Sequence, residues 1–308
     1  MANQTDYLYH YTSLETLLNL IKGIEEGKFK FWASSIYTMN DPQEFLYGYD
    51  ICIAVLSKIE KELEIDNDLC VSKLWDTIKV KGVKKVKKDW KSYLCDALYD
   101  KNNAPFVISF SSLEDSLPMW NAYSSHGYGV NLCFKSYIMK PSFDIKDFSK
   151  KTEIDLKIDS LPVYEVSYGK LIGDSKKNFI KYFKKKYEEL IDKLEKLSVK
   201  EQFSKKLSFL TLTLVILAPY FKDEAYKYEQ ELRITAQKKN DDDVLFRASN
   251  GRLIPYIERA IPVKYLKSIT IGPCADYKMV SRVVKQLLQK YNLKDVEVKS
   301  SKIAYKAL

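Results

Sequence analysis

Three short stretches of this chain carry residue types that do chemistry. The first is Tyr9-His10-Tyr11-Thr12-Ser13, at the end of a short apolar run and just before a helical pattern; His10 is one of only two histidines in 308 residues. An imidazole with Thr12 two residues later, at a strand end that feeds a helix, offers the donor and acceptor pair that nucleotide-handling folds aim at a ribose or a carboxamide. A hydrogen-bonded structural histidine fits the same place equally well. The second stretch, Ser125-His126-Gly127-Tyr128-Gly129, sets the other histidine beside two glycines that allow a tight turn or a close backbone approach, so His126 contacts a phosphate or acceptor, or makes a hairpin hydrogen bond. The third, Tyr228 to Ile234, alternates with a period of two and reads as a strand with Glu229, Glu231 and Arg233 on one face, which is either a pair of working carboxylates or a cross-strand ion network. Trp120 and Tyr123, three residues apart on a short helix, are core packing or a stacking platform. Asn40 and Asp41, before Pro42, read as a turn or helix cap, with Asn40 placed to hold the His10 loop.

Strands and helices in alternation must position these groups. Tyr7 to Tyr11 predicts a strand, followed by a short helix with Leu14, Leu17, Leu18 and Ile21 on one face and Ser13 as its N-cap. Phe29 to Ala33 alternates as a second strand, Glu44 to about Leu98 is helical with breaks near Asp66 to Asp68 and Gly82, and Phe106 to Phe110 and Val130 to Phe134 are apolar strands. Leu161 to Tyr168 reads as strand. From Asp174 to about Ala218 the pattern is helical, with Phe179, Phe183, Tyr187, Leu190, Leu194 and Leu197 forming a packing stripe. Leu253 to Ile257, Ser268 to Ile271, a helix from Asp276 to about Tyr291, and Val296 to Val298 complete the pattern. The layout predicts one α+β domain over 1–308, a mixed or antiparallel central sheet with helical insertions at about 44–103 and 174–220.

Composition narrows the function classes. At 46% hydrophobic and 13% aromatic the chain can bury a large core. Its first residues lack the pattern of a signal peptide, and the five cysteines stand far apart, which points to a reducing, cytoplasmic setting. Without paired cysteines or clustered histidines no metal is expected. Leu207 to Phe221, the longest apolar run, is too short and too interrupted to span a membrane and reads as a buried helix. Lysines concentrate in 73–103, nine against four acids, and in 170–206, twelve against six. Both stretches look helical and would offer exposed basic faces to a nucleic acid or acidic protein, or be ordinary solvated helices. Arginine is scarce there, so base-specific readout is not expected.

Several blocks then resemble a known family, the bacterial domain of unknown function 2971. They are Leu8 to Ser13; Asn40, Asp41, Pro42, Glu44 and Phe45; Met119 to Tyr123 leading to Gly127 and Gly129; Glu229 with Glu231 to Ile234; and Ile271, Gly272 and Pro273 through Ser301. The family name gives no activity. The arrangement also looks like a remote version of the ADP-ribosyltransferase fold of the His, Tyr, Glu class, and that resemblance implies NAD as substrate. It implies that His10 and Thr12, with Tyr11 between them, bind a ribose and the nicotinamide amide, that Tyr37 after Ser34 and Ser35 stacks on nicotinamide, and that Glu231 stabilises an oxocarbenium-like transition state. Glu229 would guide the acceptor, Ser34 and Arg233 would join in binding the cofactor, and His10 would count with the two glutamates as catalytic. The expected role is a toxin or anti-phage defence effector that modifies a nucleic-acid or protein acceptor. Two other readings stand beside it: a metal-dependent nuclease using Asp41, Glu44, Glu229 and Glu231, and a non-enzymatic nucleic-acid-binding or sensor module.

Overall fold

The computed structural model describes residues 6–41, 43–74, 104–135, 163–169, 174–249 and 251–305, the side chains of 174–183 excepted. Tyr7–Thr12 (β1) leads into Leu14–Lys22 (α1), whose first turn is capped by Ser13 Oγ accepting from Thr16 N at 3.1 Å. Lys28–Ser35 (β2) follows, then Glu44–Glu62 (α2), Phe106–Ser111 (β3), Leu117–Tyr123 (α3) and Val130–Lys135 (β4). Tyr164–Glu165 (β5) and Ser167–Tyr168 (β6) precede the helices Asp174–Leu194 (α4) and Val199–Leu217 (α5). Phe221–Lys222 (β7), Glu231–Ala236 (β8), Leu245–Ser249 (β9), Arg252–Pro262 (β10), Leu266–Ile271 (β11), Tyr277–Lys290 (α6) and Glu297–Ser300 (β12) complete the chain. This is an α+β fold on a mixed central sheet of ten strands, ordered β12-β11-β4-β1-β3-β2-β10-β9, with β8 against β3 and β5 against β8. The pairing of β11 with β12 is parallel and the other pairings of this sheet are antiparallel.

β3 is the pivot. It is buried along nearly its whole length, with Phe106, Ile108 and Phe110 on one face and Val107, Ser109 and Ser111 on the other, and β8 pairs with it from Phe106–Ala236 to Ser111–Glu231. A strand has two edges, so β1 and β2 share the other one: Tyr9 lies opposite Ser111 at one end, and Ser34 and Ser35 lie opposite Val107 and Phe106 at the other. The sheet therefore splits between β1 and β2. One face of the sheet packs on α1 and α6 through Phe29, Phe31, Ile108, Phe110, Phe134, Ile234 and Ile269. A second core joins α2, α4 and α5 around Leu56, Tyr187 and Leu214, and α3 covers Tyr9 and Tyr11 with Trp120.

Several expectations are corrected. The stretch from Tyr228 to Ile234 is not one strand: Glu224–Glu229 is a 3-10 turn, Gln230 is left-handed at φ 40°, and the strand starts at Glu231. The strand expected over 161–168 is two short pieces pairing with different partners, β5 with β8 and β6 with β7, and its first two residues lie outside the described ones. The helix expected over 174–218 breaks before Val199, where Ser198 and Glu201 form a capping box. α5 is amphipathic rather than wholly buried: Leu210 and Leu214 are enclosed while Leu212 is exposed. Lys206, placed on a basic exposed face by the sequence, is buried and donates to the Asp68 carbonyl at 2.7 Å, and Lys184 and Lys186 pair with Glu62 and Glu189. Most of the 73–103 lysine stretch, with Gly82, Cys95 and the continuation of the first helical insertion, lies outside the described residues, as do the Phe179 and Phe183 side chains and Pro42.

Gly48 lets α2 touch the backbone of the 218–220 turn. A Cβ built there would stand 2.2 Å from the Ala218 carbonyl oxygen, with no flexible side chain to yield. Gly48→Ala should cost about 1–3 kcal/mol, read as a lower urea midpoint; an unchanged midpoint would contradict the close approach.

Candidate active site

The gap between β1 and β2 opens into a cleft of about 990 Å³. His10, Tyr11 and Thr12 reach it from β1, Phe31, Trp32 and Ser34 from β2, Asn40 from the turn before α2, Tyr123 from α3, and His126 from the loop after it. Glu44, Lys222, Glu229 and Glu231 line another part of the wall, and Arg247, Ser249 and Arg252 come from the β9–β10 hairpin.

His10 packs against Phe31 and Phe110, with ring centroids 5.3 and 5.6 Å away. Its Nδ1 lies 2.9 Å from the Ser109 carbonyl. A carbonyl only accepts, so Nδ1 carries the proton and donates. Burial among these rings pulls the imidazole below its ordinary value of 6.5, outweighing the opposite effect of the Ser109 carbonyl, so the neutral ring presents an unprotonated Nε2. Among the described residues that nitrogen has no hydrogen-bond partner. Packing atoms crowd the ring, while the open cleft leaves it partly exposed.

On β8 the period of two sends Leu232 and Ile234 into the core and turns Glu231 and Arg233 the other way. Arg233 has no exposed surface. Its Nε and one terminal nitrogen donate to the two Glu231 oxygens, each at 2.7 Å, and the other terminal nitrogen reaches the Pro219 carbonyl and Glu44 Oε1, each at 2.5 Å. Lys222 Nζ sits between Glu229 Oε2 at 2.5 Å, Glu231 Oε2 at 3.2 Å and Glu44 Oε2 at 3.5 Å. Tyr123 donates to Glu229 Oε1 at 2.6 Å, and the Glu231 amide donates to Tyr168 Oη at 2.7 Å. Glu44 also begins α2, where the helix N-terminus favours a carboxylate.

Burial acts on Glu231, Glu229, Lys222, Arg233 and Tyr123, and the neighbours decide the outcome. Burial alone would raise Glu231, but Arg233 and Lys222 hold its carboxyl down at about 2. For Glu229 burial prevails over Lys222 and Tyr123, so its carboxyl titrates above the usual 4.5. Lys222 and Arg233 are both held above their ordinary values, because the carboxylates outweigh the burial that would lower them. Burial, and then Glu229, push the Tyr123 hydroxyl up, so it stays protonated and donates. Three carboxylates against two cations give the fully ionised cluster a charge of −1.

The sequence-derived candidates therefore divide. His10, Tyr11, Thr12, Ser34, Asn40, Tyr123, His126, Glu229 and Glu231 line one cleft. Arg233 lies behind it as the anchor of Glu231. Tyr37 packs on Phe45 at 5.2 Å, Trp120 is enclosed with its indole N–H on Asp115 at 2.6 Å, and Asp41 accepts from Gln43 N at 2.8 Å; none of these three lines the cleft. The carboxylates of the nuclease reading meet only in part, since Asp41 does not line the cleft and the three glutamates are paired with Lys222 and Arg233. Among the described residues no group of three or more His, Cys, Asp or Glu side chains has the arrangement of a metal site, and none of their helices is long and apolar enough to cross a membrane. Sequence reasoning missed Lys222, Trp32 and Arg247. Trp32 had a signal, because alternation in the second strand sets it opposite Phe31; Lys222 sits in a two-residue strand with no periodicity to read.

Comparison with known proteins adds a family. Residues 119–234 match the model of the family described as protein of unknown function (DUF2971). The match supports the family resemblance over that segment, which holds Tyr123, Lys222, Glu229, Glu231 and Arg233 and ends before the β9–β10 hairpin. No curated protein and no solved structure is matched.

Glu231→Gln would leave Arg233 buried with a single carboxylate and should cost about 3–5 kcal/mol in chemical denaturation; a loss under 1 kcal/mol would contradict the ion pairing. Glu231 keeps its proton off down to about 2 when folded but takes it up near 4.5 when unfolded, so its contribution is complete above 4.5 and disappears as pH falls toward 2. His10, lowered from 6.5, has the same sign in a higher window: stability falls as pH drops below 6.5, because the unfolded imidazole takes up a proton first. Glu229 opposes these trends just above 4.5. A stability–pH curve should rise through the His10 window and lose that rise in His10→Leu; an identical curve in the variant would contradict a neutral buried ring.

Proposed function

We propose that this cleft takes NAD and transfers its ADP-ribosyl group to an acceptor. The observation that supports the reading most is the pairing, in one cleft, of an unprotonated and unpartnered His10 Nε2 with a buried carboxylate cluster of net negative charge. A nicotinamide ring bonded to ribose carries a positive charge. As the bond between its nitrogen and the ribose C1′ breaks, the electron pair leaves with nicotinamide and positive charge grows on the sugar. A buried cluster charged −1 stabilises that charge more strongly than solvent would, and it is in place before the reaction.

The residues divide the work. Neutral His10 accepts a hydrogen bond from a ribose hydroxyl or the carboxamide, with its ring orientation fixed by Ser109 and by the flanking phenylalanines. Thr12 stands one strand turn beyond it on the same cleft wall. Glu231 is pinned by Arg233 and stays ionised, so its role is electrostatic. Glu229 titrates higher and suits the proton transfer: as the acceptor's oxygen or nitrogen bonds to C1′, its proton passes to the Glu229 carboxylate. Lys222 sets the balance between the two acids. Tyr37 has no part in this arrangement, and Trp32, half-buried on the wall, is the strand aromatic available to the substrate.

Purified protein incubated with NAD and with total RNA, DNA or cell extract should release nicotinamide and label one acceptor class, read by mass spectrometry. His10→Ala and Glu229→Gln should each slow release by about 10²–10⁴-fold while the variants stay folded, as judged by an unchanged far-ultraviolet circular dichroism spectrum. Absence of release with every acceptor, or undiminished release in both variants, would overturn the proposal.

A further inference from the structure

The β9–β10 hairpin brings a second kind of chemistry to the cleft. Arg252 lies opposite Ser249, Ile254 opposite Arg247 and Tyr256 opposite Leu245, while Tyr256 and Glu258 lie opposite Ser34 and Trp32 on β2. Directly opposed residues share a face, so Arg247, Ser249 and Arg252 project to the same side as Trp32 and Ser34, and all five line the cleft. Arg247 reaches across to donate to Ser34 Oγ at 3.2 Å, and its guanidinium stands 5.8 Å from the Trp32 ring. Its Nε is buried without a hydrogen-bond partner. A guanidinium has five N–H donors, and among the described residues only one is satisfied by a protein group.

The neighbouring charges make this arginine stand out. Lys30, on the same face, is paired with Glu25 at 2.7 Å and Glu258 at 3.8 Å, so the one carboxylate on this part of the wall is taken. Among the described residues no acid pairs with Arg247. The burial that lowers its affinity for its proton is thus uncompensated, unlike that of Arg233. Along β3 and across its neighbours, the Ser34 end and the Glu231 end of the cleft are separated by roughly 15 Å between Cα positions, from strand rise and spacing. One wall is acidic and distant, the other carries an unpaired cation.

We infer that Arg247, with Ser34 and Arg252, is the anion subsite of the cleft and holds the diphosphate of a dinucleotide substrate. The planar fork suits two phosphate oxygens, Ser34 supplies a hydroxyl donor beside it, and Arg252 at the cleft's edge adds charge. This deepens the NAD reading by naming what anchors the ligand's anionic middle, while the acidic wall takes its cationic end. The subsite also stands on its own geometry if the chemistry at the acidic wall is of another kind.

The test is calorimetric titration of the full chain with inorganic pyrophosphate and with ADP-ribose, beside Arg247→Gln, which keeps the apolar stem, and Arg252→Gln. Both probes should bind the native protein, and Arg247→Gln should weaken them roughly tenfold to a hundredfold, with a smaller effect from Arg252→Gln. Failure of either probe to bind, or unchanged affinity in Arg247→Gln, would overturn the inference. Preferential binding of a short oligonucleotide over ADP-ribose, lost in Arg247→Gln, would also overturn it by making the anion a nucleic-acid backbone. Arg247-dependent binding of both probes without nicotinamide release would keep the subsite and remove the NAD reading; release with unchanged KM in Arg247→Gln would do the reverse.

Discussion

A guanidinium with no exposed surface has to find its partners inside the protein, and Arg233 finds hydrogen bonds in Glu231 and the Pro219 carbonyl and an ion pair in Glu44. Desolvating such a charge costs several kcal/mol unless the geometry returns it. That requirement ties together four separate pieces of chain: β8, the start of α2, the turn before β7, and through Lys222 the 3-10 turn that ends at Glu229. The acidic wall of the cleft follows from it. Glu231 is held ionised because Arg233 must be paired, whereas Glu229 keeps a raised affinity for protons.

The split at β3 supplies the space. Two strands cannot both run the full length of one edge, so β1 and β2 take opposite ends of it and leave His10 facing an opening rather than a neighbouring strand. The phenylalanines beside His10 belong to the main core, which fixes the ring without using its Nε2. A polar atom unused on a rigid apolar seat, lining the same cleft as a carboxylate cluster, is the arrangement that distinguishes a binding cleft from a packing defect.

Much of the frame was legible in the sequence because local patterns govern it. β1 with its Ser13 cap, the strand at 106–111, α6 behind Asp276 and the parallel strand after it all follow alternation, helical spacing and capping chemistry. The Glu229–Glu231 region reads as one strand because alternating charges imitate a strand face, whereas the left-handed Gln230 reverses the chain between the two acids. They still meet, but through Lys222, whose two-residue strand carries no pattern. The approach of Glu44 to Arg233 is a tertiary fact with no local trace, and so is the free arginine on the hairpin. Tyr37 follows β2 directly and so invites a place in the site, yet the chain turns there and packs that ring against Phe45, while Trp32 within β2 lines the cleft.

The presence of only two histidines makes the central claim open to a direct observation. Nitrogen-15 NMR of the imidazoles, with His126→Gln to assign them, should find His10 neutral with Nε2 unprotonated at pH 7, and that nitrogen should shift on titration with NAD as it gains a hydrogen bond. A His10 Nε2 resonance that stays unchanged at saturating NAD, or a ring already protonated at Nε2, would contradict the account.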